Sequence, residues 1–161
     1  MDQKITSFDA ANPGQFGDIL NVGRSANSAM KVGLLAVGYF EYWRMYPTLR
    51  ATVEDDLAKV AERLGAKVDV VYPGMVDNLD RAEEAGRTLA EADVNVVVVV
   101  EGTYLPDYMV LHALEHVPHA QVVLFNSQTG ANVRPTDDYE ATMRNSALIG
   151  ITQLSGSFTK A

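Results

Sequence analysis

Glu101-Gly102-Thr103-Tyr104 follows directly on Val96-Val97-Val98-Val99-Val100, so an acid, a hydroxyl and a phenol come immediately after a run without a polar side chain. A β-branched run of this length is too short to span a bilayer and reads as a strand buried on both faces of a parallel sheet. Glu101 then stands at the C-terminal end of that strand, the edge where open α/β sheets bind ligands. The competing reading is an acid that merely marks the boundary with solvent. His112-Ala113-Leu114-Glu115-His116 is a second set with chemical potential, because H-x-x-E-H puts two histidines one helical turn apart, within reach of one zinc ion. Pro118 follows at once, which places the motif in the last turn of a helix, pointing away from the strand C-termini, so a zinc hydrolase is not expected. All three histidines fall between 112 and 119 and no serine sits in a nucleophile elbow, so a serine–histidine–acid triad is not suggested either.

The elements that must position Glu101 are legible as an alternation. KVGLLAVG, from Lys31, is a buried strand, and Leu49, Val53, Leu57, Val60 and Leu64 recur at helical spacing between Pro47 and Gly65. KVDVVYPG is a second strand, Asn78 can cap the helix LDRAEEAGRTLAEAD, and VNVVVVVEG is the third strand. Pro106 opens another helix, AQVVLFNSQ is a fourth strand, and Asp137 with Glu140 resembles a capping box at the start of DYEATMRNSAL. Strands alternating with helices imply right-handed crossovers and a parallel sheet covered on both faces. The expected architecture is a flavodoxin-like, doubly wound three-layer sandwich of strand order 2-1-3-4, spanning 31–161 and preceded by an aperiodic arm over 1–30.

All four strand-to-helix loops then fall on one edge. GYFEYWRMY, PGMVDN, EGTYLPD and NSQTGANVRPTD together offer aromatics (Tyr39, Phe40, Tyr42, Trp43, Tyr104) and amide or hydroxyl groups (Thr103, Asn126, Ser127, Gln128), with the acids Glu41 and Glu101. Apolar ring faces beside neutral hydrogen-bonding groups suit a small polyhydroxylated ligand. Packing against a neighbouring helix competes with that reading for Tyr42 and Trp43. Phosphate fingerprints are missing: there is neither a Walker A pattern nor G-x-G-x-x-G after the first strand, where Tyr39-Phe40-Glu41 is bulky and acidic.

Composition narrows the classes. The 161 residues fit one domain, and 13 Lys+Arg against 21 Asp+Glu give a formal net charge of −8, which opposes a broad grip on nucleic acid. No cysteine is present, which excludes disulfides, thiolate catalysis and cysteine zinc sites. The start MDQKITSFDAANPGQFGD lacks the pattern of a signal peptide, so a cytoplasmic protein without membrane association is expected.

GYFEYW after strand 1, EGTYLPDYM after strand 3, LFNSQTG at strand 4 and the later MRNSALIGITQLSG together resemble the N-terminal domain of the L-fucose and L-arabinose isomerase family, over roughly residues 31 to 158. The resemblance implies part of an aldose–ketose isomerase of carbohydrate metabolism, an intramolecular oxidoreductase that usually carries Mn²⁺ on Glu, Asp and His residues of later domains. It implies a first domain, a fragment or a stand-alone relative with no catalytic residue and no cofactor of its own, inactive alone. In the family this domain caps a neighbouring subunit's active site within a trimer or hexamer, so a homo-oligomer is implied for the full-length protein. By that analogy Tyr39 to Tyr42, Tyr104, the Asn126 to Gln128 turn and Asn145 face the sugar. With Glu101 and Thr103 from the strand-end reading, the candidate binding set is Tyr39, Phe40, Glu101, Thr103, Tyr104, Asn126, Gln128 and Asn145. Members active on L-arabinose place glutamine and histidine where this sequence has Tyr39-Phe40 and Leu148, so the sugar is not specified. The alternative is a stand-alone flavodoxin-like module that binds a sugar or a nucleotide.

Overall fold

The computed structural model describes residues 30–130, 132 and 134–159, so the expected arm lies outside the described residues except for Met30. In chain order the elements are β1 (Lys31–Val37), α1 (Phe40–Met45), α2 (Leu49–Gly65), β2 (Asp69–Val71), β3 (Met75–Val76) and α3 (Leu79–Glu91). They continue with β4 (Val96–Glu101), α4 (Asp107–Leu114), β5 (Gln121–Phe125), α5 (Tyr139–Arg144) and α6 (Ala147–Phe158). Every pairing is parallel, in the order β2-β1-β4-β5 with β3 beside β1. This is the expected order 2-1-3-4 of a flavodoxin-like sheet, with the second strand broken in two: β2 pairs with the start of β1 and β3 with its end. Tyr72, Pro73 and Gly74 interrupt it, Gly74 at φ 96°, and proline has no amide hydrogen for a ladder.

Alternation along the strands separates two apolar layers. Leu35, Val37, Val97 and Val99 pack under α3, α4 and α6 through Leu89, Met109, Val110 and Leu154. Leu34, Ala36 and Val100 face Leu49, Val53 and Leu57 of α2, the stripe expected from its spacing. Each fully buried aliphatic side chain contributes about 1.5–3 kcal/mol, which is what holds the strand ends, and therefore the loops, in place. Asn78 caps α3 as expected, its Oδ1 accepting from the Arg81 amide at 3.0 Å. The capping residue of α5 is Asp138, not Asp137: Asp138 Oδ1 accepts from the Ala141 amide, while Asp137 accepts from the Arg134 amide in the preceding turn. Among the described residues no helix is long and apolar enough to cross a membrane.

Candidate functional site

The chain leaves β1 and β2 on one side and β4 and β5 on the other, so the strand order reverses between β1 and β4, where a doubly wound sheet opens its ligand crevice. Glu101 is in register with Val37 at the C-terminal end of that pair. It does not mark a boundary with solvent, which was the competing reading. It is 2% exposed, and its Oε2 has no hydrogen-bond partner among the described residues. Burial pushes its pKa up to about 8, so near neutral pH it is predominantly protonated and uncharged. An unpaired carboxylate would cost several kcal/mol in this position; holding the proton avoids that cost. The carboxyl reaches the backbone of α6 at Gly150, where any β-carbon would overlap it.

The loops around Glu101 are tied to one another by their own polar groups. The Tyr39 amide donates to Thr103 Oγ1 at 3.1 Å, joining the loop after β1 to the loop after β4. The Tyr104 amide donates to Ser146 Oγ at 2.9 Å, joining that loop to the start of α6. Asn145 Oδ1 accepts from Thr129 Oγ1 and the Gly130 amide, and its carbonyl accepts weakly from Gln128 Nε2 at 3.4 Å, which brings in the loop after β5. Thr103 is fully buried with its hydroxyl engaged, so it builds the edge and does not offer a ligand group, a second departure from expectation.

An aromatic group stands at one end of this edge. The rings of Phe40 and Tyr42 each meet that of Tyr39 edge to face at 5.3 Å. Burial first, and then the neighbouring Tyr108, Glu41 and Tyr104, raise the Tyr39 pKa; burial, Tyr104 and Tyr39 raise that of Tyr42. Phe40 is exposed, and Tyr39 and Tyr104 are half-buried. Phe40 and Tyr42 lie on α1, with Tyr39 as its N-cap; α1 is a helix of six residues with none buried, where a loop was expected. Trp43 belongs to packing. Its Nε1 donates to Asp77 Oδ2 at 2.9 Å, and Asp77, buried at the end of β3, also accepts from Asn78 Nδ2. Asp77 was not among the expected site residues, although an acid closing a strand and preceding a helix cap repeats the signal of Glu101.

At the other end lie two cavities that share Thr129 and Arg144. One, of about 610 Å³, lies between α2 and α5 with Asn145, Arg134 and the acids Asp137, Asp138 and Glu140 in its wall. Asp137 is held below the usual carboxylate range by the Arg134 backbone amide, with a further bond from the guanidinium. The second, of about 360 Å³, runs from Glu101 along Phe125, Ser127 and Gln128 to the cationic side chains of α2. The candidate residues thus divide between Tyr39, Phe40, Thr103 and Tyr104 at one end and Gln128 and Asn145 at the other, with Glu101 between them and Asn126 exposed.

The histidines of H-x-x-E-H, both partly exposed, converge on one acid of the neighbouring helix. His116 Nε2 lies 2.8 Å and His112 Nε2 3.2 Å from Glu83 Oε2 of α3, and the close approach needs Gly86, because a β-carbon there would collide with the His116 ring. Arg87 foremost, and then His116, lower the pKa of Glu83 through hydrogen bonds. Among the described residues no group of three or more His, Cys, Asp or Glu side chains is arranged to hold a metal ion. No protein-family model matches the chain, and no curated protein matches it in sequence.

Proposed function

We propose that the chain is the substrate-facing N-terminal domain of an aldose–ketose isomerase of the L-fucose and L-arabinose type. In this reading it supplies sugar contacts and subunit contacts, and the metal site lies outside it. One observation carries the reading. The four segments that resemble the family are scattered over more than a hundred residues, yet hydrogen bonds join them at a single edge: Tyr39 to Thr103, Tyr104 to Ser146, and Asn145 to Thr129 and Gly130. That edge presents Tyr39, Phe40 and Tyr104 as apolar faces and Asn126, Gln128 and Asn145 as neutral donors and acceptors, the pairing a sugar needs.

The competing module that binds a nucleotide draws support from the two cavities contained within this chain. Calorimetric titration of the purified chain with L-fucose, L-arabinose, ATP and FMN separates the two. Sugar binding with no nucleotide binding is the expected result, together with no ketose formation when Mn²⁺ is added. Nucleotide binding without sugar binding would favour the module, and metal-dependent turnover would overturn the assignment of the metal site to other domains.

A further inference from the structure

The two lateral strands of the sheet are finished differently. β2 is three residues long, has exposed Asp69 with exposed Lys67 just before it, and is followed by Pro73. Short length, charge and proline keep a lateral strand from pairing with another chain. β5 has none of these. Its five residues, Gln121-Val122-Val123-Leu124-Phe125, include no charge, proline or glycine, and its outer side has no strand partner among the described residues. Both of its faces are open as well. Val123 and Phe125, in register with Val98 and Val100, are 47% and 44% exposed on the α2 face, and Val122, in register with Val97, is 37% exposed on the other. Val97 and Val100 of β4 are fully buried, so the exposure belongs to the lateral position and not to either face.

Charge indicates what completes this strand. The two longest stretches of the chain without Asp, Glu, Lys or Arg run over 116–133 and 145–159. β5 lies in the first and α6 in the second, and α6 packs on β4 and β5 with Leu148 and Ile149 exposed. The two uncharged stretches are therefore neighbours in the fold. A chain of formal net charge −8 repels its own copies wherever charged surfaces meet, and here that repulsion is least. A strongly basic or acidic partner would instead be met by surface of the opposite sign, which these stretches lack. The strand is also complementary to itself. A twofold axis at Val123 sets Val123 opposite its own copy, Val122 opposite Leu124 and Gln121 opposite Phe125, so apolar side chains meet across the seam on both faces.

We propose that β5 is the seam of a homodimer, in which two copies of this chain join antiparallel through β5 about a twofold axis at Val123. The sheet then continues from one subunit into the other, and Val122, Val123 and Phe125 are covered. Specific interfaces take about 800 Å² from each partner, so the strand needs flanking apolar surface, which Leu148 and Ile149 of the adjoining α6 offer. The proposal does not depend on the sugar reading. Because the subunits run antiparallel across the seam, their C-terminal edges point in opposite directions and both stay open. A twofold contact of this kind also fits within a hexamer of two facing trimers.

Sedimentation equilibrium of the full chain, read beside amide exchange in β5, tests this. The expected result is a concentration-dependent dimer in which the β5 amides exchange more slowly as concentration rises. Val123→Lys and Val123→Glu, each alone, should weaken self-association at least about tenfold, since two like charges then face each other on the axis. An equimolar mixture of the two variants should regain the dimer, because unlike charges then meet there. Slow exchange retained in β1 and β4 of both variants separates loss of pairing from loss of fold. A chain that stays monomeric at every concentration overturns the proposal, and so does β5 exchange that is independent of concentration. A dimer that both folded variants leave intact places the contact elsewhere and overturns it too. Failure of the mixture to restore a dimer that each variant breaks overturns the antiparallel register. A monomer whose β5 amides exchange slowly until residues 1–29 are deleted overturns the second copy as the occupant and gives the strand to the chain's own first residues.

Discussion

The two edges of the sheet are built to opposite standards. At the N-terminal edge the bonds run both ways between strands. The Lys31 amide donates to Asn95 Oδ1, the Asn95 amide to the Lys31 carbonyl, the Gln121 amide to the Asn95 carbonyl, and Lys31 Nζ to the Ala92 carbonyl. The helix ends above it are stitched by Glu83 to His112 and His116. At the C-terminal edge there is a buried carboxyl oxygen with no partner among the described residues, two cavities, and loops that bond mainly to one another. A fold gains nothing in stability from leaving a polar atom unpaired, so the difference locates where structure has been arranged for something other than stability.

The sharpest way to break that contrast is at Gly150. A β-carbon there overlaps the Glu101 carboxyl, so Gly150→Ala should cost about 1–3 kcal/mol of unfolding free energy. Combining it with Glu101→Ala should cost less than the sum of the two single changes. Strict additivity in urea denaturation would mean that the carboxyl and α6 are not in contact.

A pH effect of at least comparable size is peculiar to the C-terminal edge. Glu101 keeps its proton in the folded chain up to about 8 and loses it near 4.5 when unfolded. The folded state therefore binds more protons between those values, and stability falls as pH rises through the window, by up to about 1.4 kcal/mol per pH unit, then levels off above it. Glu101→Gln removes this slope. Denaturation midpoints of both proteins across that window check it; parallel curves would show that the acid is ionised in the fold.

Smaller effects distinguish the two edges through the same residue type. Asn145→Ala should lose about 1–2 kcal/mol locally and speed amide exchange at Gly130, while exchange in β1 and β4 is unchanged. Asn95→Ala should instead speed exchange at Lys31. Smallest of all, His112→Ala and His116→Ala should each shift stability by less than about 1 kcal/mol, since their partner Glu83 is a partly exposed surface acid.

How much of this was legible in the sequence follows from range. The β-branched runs and the Leu49-Val53-Leu57 spacing are local signals, and the strand alternation, parallel pairing and order follow from them. The burial of Glu101 is not local: it depends on Gly150 in a helix that packs over the strand end from nearly fifty residues away. α1 was unreadable because six residues with none buried carry no apolar period. The second strand was readable, but its break at Pro73-Gly74 was not distinguished from its end. Thr103 was correctly placed at the edge and wrongly left free, because nothing in the sequence shows that the Tyr39 amide would take its hydroxyl.

The central claim, that the C-terminal edge is a sugar site, is tested most directly by mapping amide shifts while L-fucose or L-arabinose is titrated into the chain. The account predicts shifts at Tyr39 to Tyr42, Gly102 to Tyr104, Asn126 to Gly130 and Asn145, with none at Asn95 or His119 on the opposite edge. Shifts confined to that opposite edge, or none with either sugar, would contradict it.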